Sequence, residues 1–175
     1  MSKDNNKYVM FQTLRKGKNN DGVCLQVTPT KNGELLFTLA PQAGMENNLP
    51  KFDYKNAYKF GLSDLETAEI ALCFERILFN GFFDFEIKYP HITANEPKTI
   101  AFKSSVYNNN LQIQLSVFPA NNPNKRPLNI FLNEKEVYCL MVNLKESLSL
   151  YQKKNYVDNL DTDIFKHSLK PDLFV

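Results

Sequence analysis

The sequence predicts an α+β fold in which a unit of four strands followed by one helix occurs twice. The main sign is a pair of helix starts seventy residues apart, Ser63 with Glu66 and Asn133 with Glu136. This spacing is typical of a capping box, in which the cap side chain accepts from an early helix N–H and the glutamate reaches back to the cap. Strand-like segments precede both helix starts in the same order. Two unrelated α+β segments are the alternative to a duplication.

The first unit contains four predicted strands and a helix. Val23, Leu25 and Val27 alternate with other residues, which is the period of a half-buried strand. Proline and glycine recur over 41–50, which predicts a loop there. Apolar residues at helical intervals after Ser63 predict the helix. The predicted strands are 8–15, 23–30, 34–40 and 54–60, and the helix begins at Ser63 and ends at Gly81.

The second unit repeats this order of elements. Alternation in 111–118 again indicates a strand, and an apolar stripe after Asn133 indicates the second helix. At an offset of seventy, apolar positions of the two helices coincide, as Phe74 does with Leu144. The predicted strands of the second unit are 82–89, 98–107, 111–118 and 128–131.

The composition fits one compact domain. The chain has 175 residues, of which 43% are hydrophobic and 13% aromatic, enough to form a core. No apolar run is long enough to cross a bilayer and the first residues are polar, so we expect no membrane association and no secretion signal. The three cysteines, Cys24, Cys73 and Cys139, are far apart, and reduced thiols in a cytoplasm are the expectation.

The charge is unevenly distributed, although the net charge is only +2. Residues 1–60 contain nine Lys/Arg and five Asp/Glu, and residues 61–96 contain two Lys/Arg and seven Asp/Glu. Residues 97–133 contain four Lys/Arg and no Asp/Glu, and residues 134–175 contain six Lys/Arg and seven Asp/Glu. The strand blocks are therefore basic and the helical blocks that follow them are acidic. The 37-residue segment without carboxylates is what a surface facing phosphates needs.

The duplicated unit resembles the Whirly-type single-stranded nucleic-acid-binding fold, whose relatives include mitochondrial guide-RNA-binding proteins and transcriptional-coactivator-type modules. The resemblance lies in the order of elements over about residues 7–151 and in no motif, since Lys16-Gly17-Lys18 runs into a turn where Whirly proteins have a strand. It implies two antiparallel sheets packed crosswise, helices on one side, and oligomers built through those helices. The predicted domain is 1–152, with repeats at 7–80 and 81–152, and a tail at 153–175.

The residue patterns of common catalytic sites are absent. The glycines form no phosphate loop, and His91 and His167 have no partner at metal-ligand spacing. Asp84 and Glu86 share one strand face, where a solvated surface is the simpler interpretation than an acid–base pair. We therefore expect no enzymatic activity, no metal and no cofactor.

Lysine and arginine residues are interleaved with aromatic residues in the strand blocks. Single strands are bound by cations that follow the phosphates and by rings on which bases stack. On strand 98–107, Lys103 and Tyr107 share the face opposite Phe102, and Phe118 lies on a polar face of the next strand. Tyr54 and Tyr58 are an even number of positions apart, so in one strand their side chains would lie on the same face. The candidate nucleic-acid-binding residues are Arg15, Lys16, Lys18, Tyr54, Tyr58, Lys59, Lys103, Tyr107, Phe118, Lys125 and Arg126.

The C-terminal tail combines acidic and hydrophobic residues, a pattern similar to the protein-recruiting tails of bacterial single-strand-binding proteins. Docking on the domain itself is the alternative. The candidate partner-binding residues of the tail are Asp161, Asp163, Phe165, Leu173 and Phe174.

The predicted function is sequence-independent binding of single-stranded DNA during replication or recombination, by a homo-oligomer that recruits replication proteins through its tail. The alternatives are an RNA-binding or transcription-associated protein of the same fold, and an adaptor that binds only protein. The lysine- and asparagine-rich composition suggests an AT-rich genome and a phage or mobile-element source.

Overall fold

The computed structural model describes residues 9–16, 21–30, 34–81, 83–92, 97–120 and 125–149. These residues form two antiparallel sheets and two helices, which confirms the predicted α+β class. The elements of the first repeat are β1 (Phe11–Arg15), β2 (Val23–Pro29), β3 (Leu35–Glu46), β4 (Leu49–Phe52), β5 (Tyr58–Gly61) and α1 (Asp64–Phe79). Those of the second repeat are β6 (Glu86–His91), β7 (Lys98–Tyr107), β8 (Asn110–Pro119), β9 (Leu128–Asn133) and α2 (134–149).

Both helices begin with the capping box that their sequences predict. Ser63 Oγ accepts from the Glu66 N–H, and the Ser63 N–H donates to Glu66 Oε2 at 2.7 Å. Asn133 Oδ1 accepts from the Glu136 N–H at 3.0 Å, and the Asn133 N–H donates to Glu136 Oε2 at 2.8 Å. Over the described residues, α2 therefore begins with the same capping box as α1, seventy positions later, and the two units are structural repeats.

The first helix ends as its sequence predicts. The Asn80 N–H donates to the Arg76 carbonyl at 2.9 Å, and Gly81 follows with a φ of 89°. Glycine occupies this left-handed region without the strain that a Cβ introduces. Over their described residues, neither helix combines the length and apolarity needed to traverse a membrane.

Two asparagine pairs make tight turns between strands. Asn47 and Asn48, between β3 and β4, and Asn108 and Asn109, between β7 and β8, all have positive φ, between 49° and 64°. Two-residue hairpin loops of type I′ require positive φ at both positions, and asparagine tolerates it better than other residues with a side chain.

The loop predicted at 41–50 is wrong, because β3 continues to Glu46 and returns as β4. Pro41 is the last residue of β3 in register with β2, and a β-bulge lies between Gln42 and Gly44, where pairing with β4 begins. Pro41 and Gly44 thus lie where the strand changes partner, a position that tolerates them, while Pro50 lies within β4.

Two predicted strand starts are too early. The fourth strand of the first repeat starts at Tyr58 and not at 54, since the Asp53 carboxylate accepts from the backbone N–H groups of Lys55 and Asn56 and folds this segment into a turn. The first strand of the second repeat starts at Glu86 and not at 82. Before it, the Ser104 hydroxyl bonds to the backbone of Phe83 and Phe85 in place of a regular ladder.

Each repeat contributes one sheet. Sheet 1 has the order β1-β2-β3, with β5 and β4 paired to successive parts of β3. Sheet 2 has the order β6-β7-β8-β9, and neighbouring strands are antiparallel throughout.

One buried cluster joins the inner faces of both sheets to both helices. Phe37 of β3 lies in this core and stacks on Phe60 at a centroid distance of 5.1 Å. Phe74 of α1 packs edge-on against Phe102 of β7 at 6.1 Å, so the first helix is buried against the second repeat's sheet. The repeats therefore share their main core, and a small second cluster of Cys24, Ala40 and Ala57 lies within the first repeat.

Contacts between the repeats follow a twofold pattern. Glu66, in the capping box of α1, lies 3.5 Å from His91 Nε2, at the end of the second repeat's first strand. Glu136, in the capping box of α2, pairs with Arg15, at the end of the first repeat's first strand. Glu75 and Lys145 occupy matching helical positions and their side chains form an ion pair with each other. Residues at matching positions of two repeats can contact each other only near the axis that relates the repeats. A pseudo-twofold axis therefore passes between α1 and α2.

Candidate nucleic-acid interface

The side of each sheet that faces away from the shared core is here called its outer face. In sheet 1 the strand register aligns Gln12, Gln26, Thr38 and Lys59 in one row across β1, β2, β3 and β5. Lys59 is exposed and is the cation of this row. Gln12 is exposed and Gln26 half-buried, whereas Thr38 is buried, so the row offers amide groups beside a positive charge to a polar, anionic ligand.

Tyr54 lies on the outer face of sheet 1 and is held in place by its hydroxyl. Gln26 Nε2 donates to Tyr54 Oη at 2.9 Å, and Cys24 Sγ lies 3.6 Å from the same oxygen. Partial burial, and to a smaller extent the contact with Cys24, raises the pKa of Tyr54 to about 12. The phenol is therefore neutral at physiological pH, while 41% of the residue stays exposed.

Sheet 2 has the more open outer face. Its register aligns Lys103, Gln114 and Phe131 in one row across β7, β8 and β9. Lys103 and Tyr107 share this face as predicted, and Tyr107 and Phe118 are exposed by 64% and 40%. The arrangement combines a cation, uncharged amides and accessible rings on one surface.

A carboxylate from the edge strand also reaches this outer face. Glu86 of β6 pairs with Lys88 at 2.7 Å and lies 3.6 Å from Lys103. The hydrogen bond from Lys88, with smaller help from Lys103, holds the pKa of Glu86 below its ordinary value. The segment 97–133 contains no acid, but its neighbour in the sheet supplies one, which the linear charge map did not reveal.

The structure gives Arg15 a role within the fold. Its Nη1 donates to Glu136 Oε1 at 3.0 Å and to Thr13 Oγ1 at 2.8 Å, and its Nη2 contacts the other carboxylate oxygen of Glu136. Nη2 also donates to the Phe131 carbonyl at 2.6 Å. This guanidinium joins β1 to β9 and α2, and a role for Arg15 in binding nucleic acid stays a prediction.

Tyr58 is likewise not on an exposed face. The turn at Asp53 breaks the alternation that linked it to Tyr54, and the residue is only 2% exposed. Its hydroxyl donates to the Arg126 carbonyl at 3.0 Å, and Lys125 Nζ lies 5.1 Å from its ring centroid. No face of this ring is open for a base to stack on.

Lys125 and Arg126 belong to the junction between the repeats. With Tyr58, Pro41 and Asp53 they line a cleft of about 410 Å³. They therefore lie apart from the row that contains Lys103, and their role in binding stays a prediction.

The remaining predicted residues divide into two groups. Lys16 is exposed directly after β1. Lys18 and the tail residues Asp161, Asp163, Phe165, Leu173 and Phe174 lie outside the described residues. Within the described part of the chain, no group of three or more histidine, cysteine, aspartate or glutamate residues is placed to hold a metal ion.

Phe131 is an outer-face aromatic that the sequence reasoning missed. It is 41% exposed, between Ile130 and Leu132, which are both buried. The alternation of β9 carried the signal, since Leu128, Ile130 and Leu132 share the inner face.

The fold is shared with several solved structures. The structure of WHY1 from Arabidopsis thaliana matches this chain with a TM-score of 0.58 at 16% sequence identity. The match covers 96% of this chain and 97% of that one. A guide-RNA-binding protein complex bound to a guide RNA has a TM-score of 0.55 at 13% identity, with 79% and 88% covered. The plant transcriptional regulator PBF-2 has a TM-score of 0.53 at 17% identity, with 96% and 91% covered. No protein-family model and no curated protein sequence matches the chain. The Whirly-type fold is thus shown by structure alone.

Proposed function

We propose that this chain binds single-stranded DNA without sequence preference, through the outer faces of its sheets, during replication or recombination. The observation that carries the proposal is the outer face of sheet 2, where Lys103, Tyr107, Phe118 and Phe131 are all exposed. Lysine neutralises phosphates, rings accept stacked bases, and neither discriminates strongly among sequences. The chain acts by binding in the cytoplasm, without catalysis. A phage or mobile-element source stays a prediction.

Labelled oligo-dT in a fluorescence anisotropy titration over a salt series tests this proposal. The logarithm of the affinity should fall with the logarithm of the salt concentration, by about 0.7 for each phosphate neutralised. The double variant Lys103→Glu, Tyr107→Ala should bind at least about tenfold more weakly, since a stacked base contributes about 1–3 kcal/mol.

The matched control is Lys135→Glu, Tyr138→Ala, which makes the same changes at exposed positions of α2. It should bind as the wild type does. Wild-type binding that is absent or insensitive to salt would contradict the proposed function. Equal losses in the two double variants would contradict its assignment to sheet 2.

RNA binding is the second candidate, because one protein with this fold is a guide-RNA-binding complex. Competition between poly-dT and poly-U separates the two, since only RNA offers a 2′-hydroxyl for recognition. Preference for poly-U would favour the RNA-binding alternative. An adaptor that binds only protein would bind neither polymer.

The helices and the tail are the surfaces proposed for protein partners. Leu72 and Val142 occupy matching positions on the two helices and are 63% and 43% exposed, which is a surface suited to a second copy of the chain. Immobilised protein should retain soluble copies of itself unless Leu72 is replaced by glutamate.

Immobilised protein should also retain replication proteins unless Phe174 of the tail is replaced by alanine. Retention that is unchanged in these variants would contradict the respective assignment.

A further inference from the structure

We propose that a cleft on the outer face of sheet 2, between Tyr107 and Phe131, holds a single nucleobase. This inference rests on the proposed function and assigns it a site. The cleft has a volume of about 400 Å³. Its lining residues are Ser105, Val106, Tyr107, Gln112 and Phe131.

The strand register explains how this cleft forms. Ser105 of β7 and Gln112 of β8 lie directly opposite each other and place a hydroxyl and an amide side by side. Phe131 comes from β9, beyond β8, and Tyr107 comes from the end of β7 beside the hairpin turn. Aromatic side chains from two different strands therefore flank a few polar groups in a mainly apolar cleft, to which Val106 also contributes.

The chemistry of the lining fits a nucleobase better than other ligands. A base is a flat ring with hydrogen-bonding groups at its edge, so it needs an aromatic surface and a few polar partners. Tyr107 and Phe131 are 64% and 41% exposed and supply the rings, while Gln112 supplies donors and an acceptor. None of the lining residues carries a carboxylate, and Lys103 lies in the same strand row as Phe131, where it can meet a neighbouring phosphate.

The backbone of Phe131 is anchored before any ligand arrives. Its backbone carbonyl accepts from Arg15 Nη2 at 2.6 Å, and Arg15 is in turn bound to Glu136. A ring on an anchored strand loses little conformational freedom on binding, which favours affinity. Arg15 thus serves the cleft by positioning β9.

A tryptophan at position 131 tests the assignment directly. The chain contains no tryptophan, so the full-length variant Phe131→Trp has a single indole fluorophore that keeps an aromatic ring in the cleft. Oligo-dT should bind it with affinity within about threefold of the wild type, and its fluorescence should be quenched as the base stacks. Phe131→Ala should weaken binding by about 5- to 150-fold, the range for loss of one stacked base.

Tyr138→Trp, on the exposed face of α2, is the matched control and should bind oligo-dT without quenching. Wild-type affinity in Phe131→Ala, or unquenched tryptophan at position 131 when DNA is bound, would overturn the inference while leaving the proposed function intact. A change of oligomeric mass in Phe131→Ala, with unaltered DNA affinity, would instead make the cleft a contact between copies and overturn it too. If wild-type protein binds no oligo-dT, the proposed function fails first and the cleft assignment fails with it.

Discussion

Replacing Phe74 by alanine is expected to lower the free energy of unfolding by about 3–5 kcal/mol, the usual cost of removing a large aromatic from a core. Phe74 is fully buried and contacts Phe102 of the other repeat, so the change leaves a cavity where the two repeats meet. Urea unfolding followed by circular dichroism measures the difference. Because the core is shared, the variant should still unfold in a single transition.

The matched control is Phe79→Ala, which removes the same side chain from the same helix at a position that is 65% exposed. Its effect should stay below about 1 kcal/mol, as for most surface substitutions, when both variants have the wild-type oligomeric mass. Equal losses in the two variants would show that Phe74 does not lie in the core described above.

Glu136→Gln is expected to lower the free energy of unfolding by about 1.5–3 kcal/mol at pH 7, the range for hydrogen bonds to a charged group. The carboxylate accepts from Arg15 and Thr13 and from the Asn133 backbone N–H. Partial burial alone raises the pKa of Glu136, but these hydrogen bonds together outweigh it and hold the pKa below its ordinary value of 4.5. The ionised form is therefore the one that stabilises the fold.

The sign of the pH dependence follows from this lowered pKa. A carboxyl whose pKa is lower in the folded state contributes its full stabilisation above the unfolded-state pKa and loses it as pH falls through the folded value. Urea unfolding of wild type and Glu136→Gln from pH 7 down to pH 3 should give curves that converge below about pH 4.5. Glu134→Gln, at an exposed position two residues earlier, should cost less than about 1 kcal/mol, as a helix-dipole effect. A gap between wild type and Glu136→Gln that is as large at pH 3 as at pH 7 would contradict the role of the ionised carboxylate.

The sequence predicts those parts of the fold that depend on neighbouring residues. Ser63 and Glu66 are three positions apart, as are Asn133 and Glu136, so both helix starts were visible in the chain. The strand at 98–107 was also placed correctly, with both of its ends as predicted.

Predictions failed where a local interaction interrupted a pattern. The carboxylate of Asp53 folds a turn between Tyr54 and Tyr58, which places one tyrosine on the outer face and the other in the core. Parity alone cannot detect such a turn. Asn47 and Asn48 likewise make a hairpin where proline and glycine nearby suggested a loop.

The candidate site depends more on distant contacts and was harder to predict. Arg15 and Glu136 are 121 positions apart, so nothing near Arg15 in the chain indicates that its guanidinium is already engaged. Glu86 lies outside the acid-free segment and joins its surface only through strand pairing. Phe131 was accessible to sequence reasoning, since the alternation of β9 places it opposite three buried residues.

The pair formed by Glu75 and Lys145 bears on how a chain of this architecture differs from a homodimer. In a dimer of identical subunits, a residue at the axis meets its own copy, and a glutamate there would face a glutamate and be repelled. Covalent linkage of the two halves removes that constraint, because each copy of the position can hold the opposite sign. The same freedom lets one cap glutamate face Arg15 and the other His91. In a single chain with two repeats, side chains that meet at the axis can therefore attract each other, whereas identical charged residues of a homodimer would repel each other there.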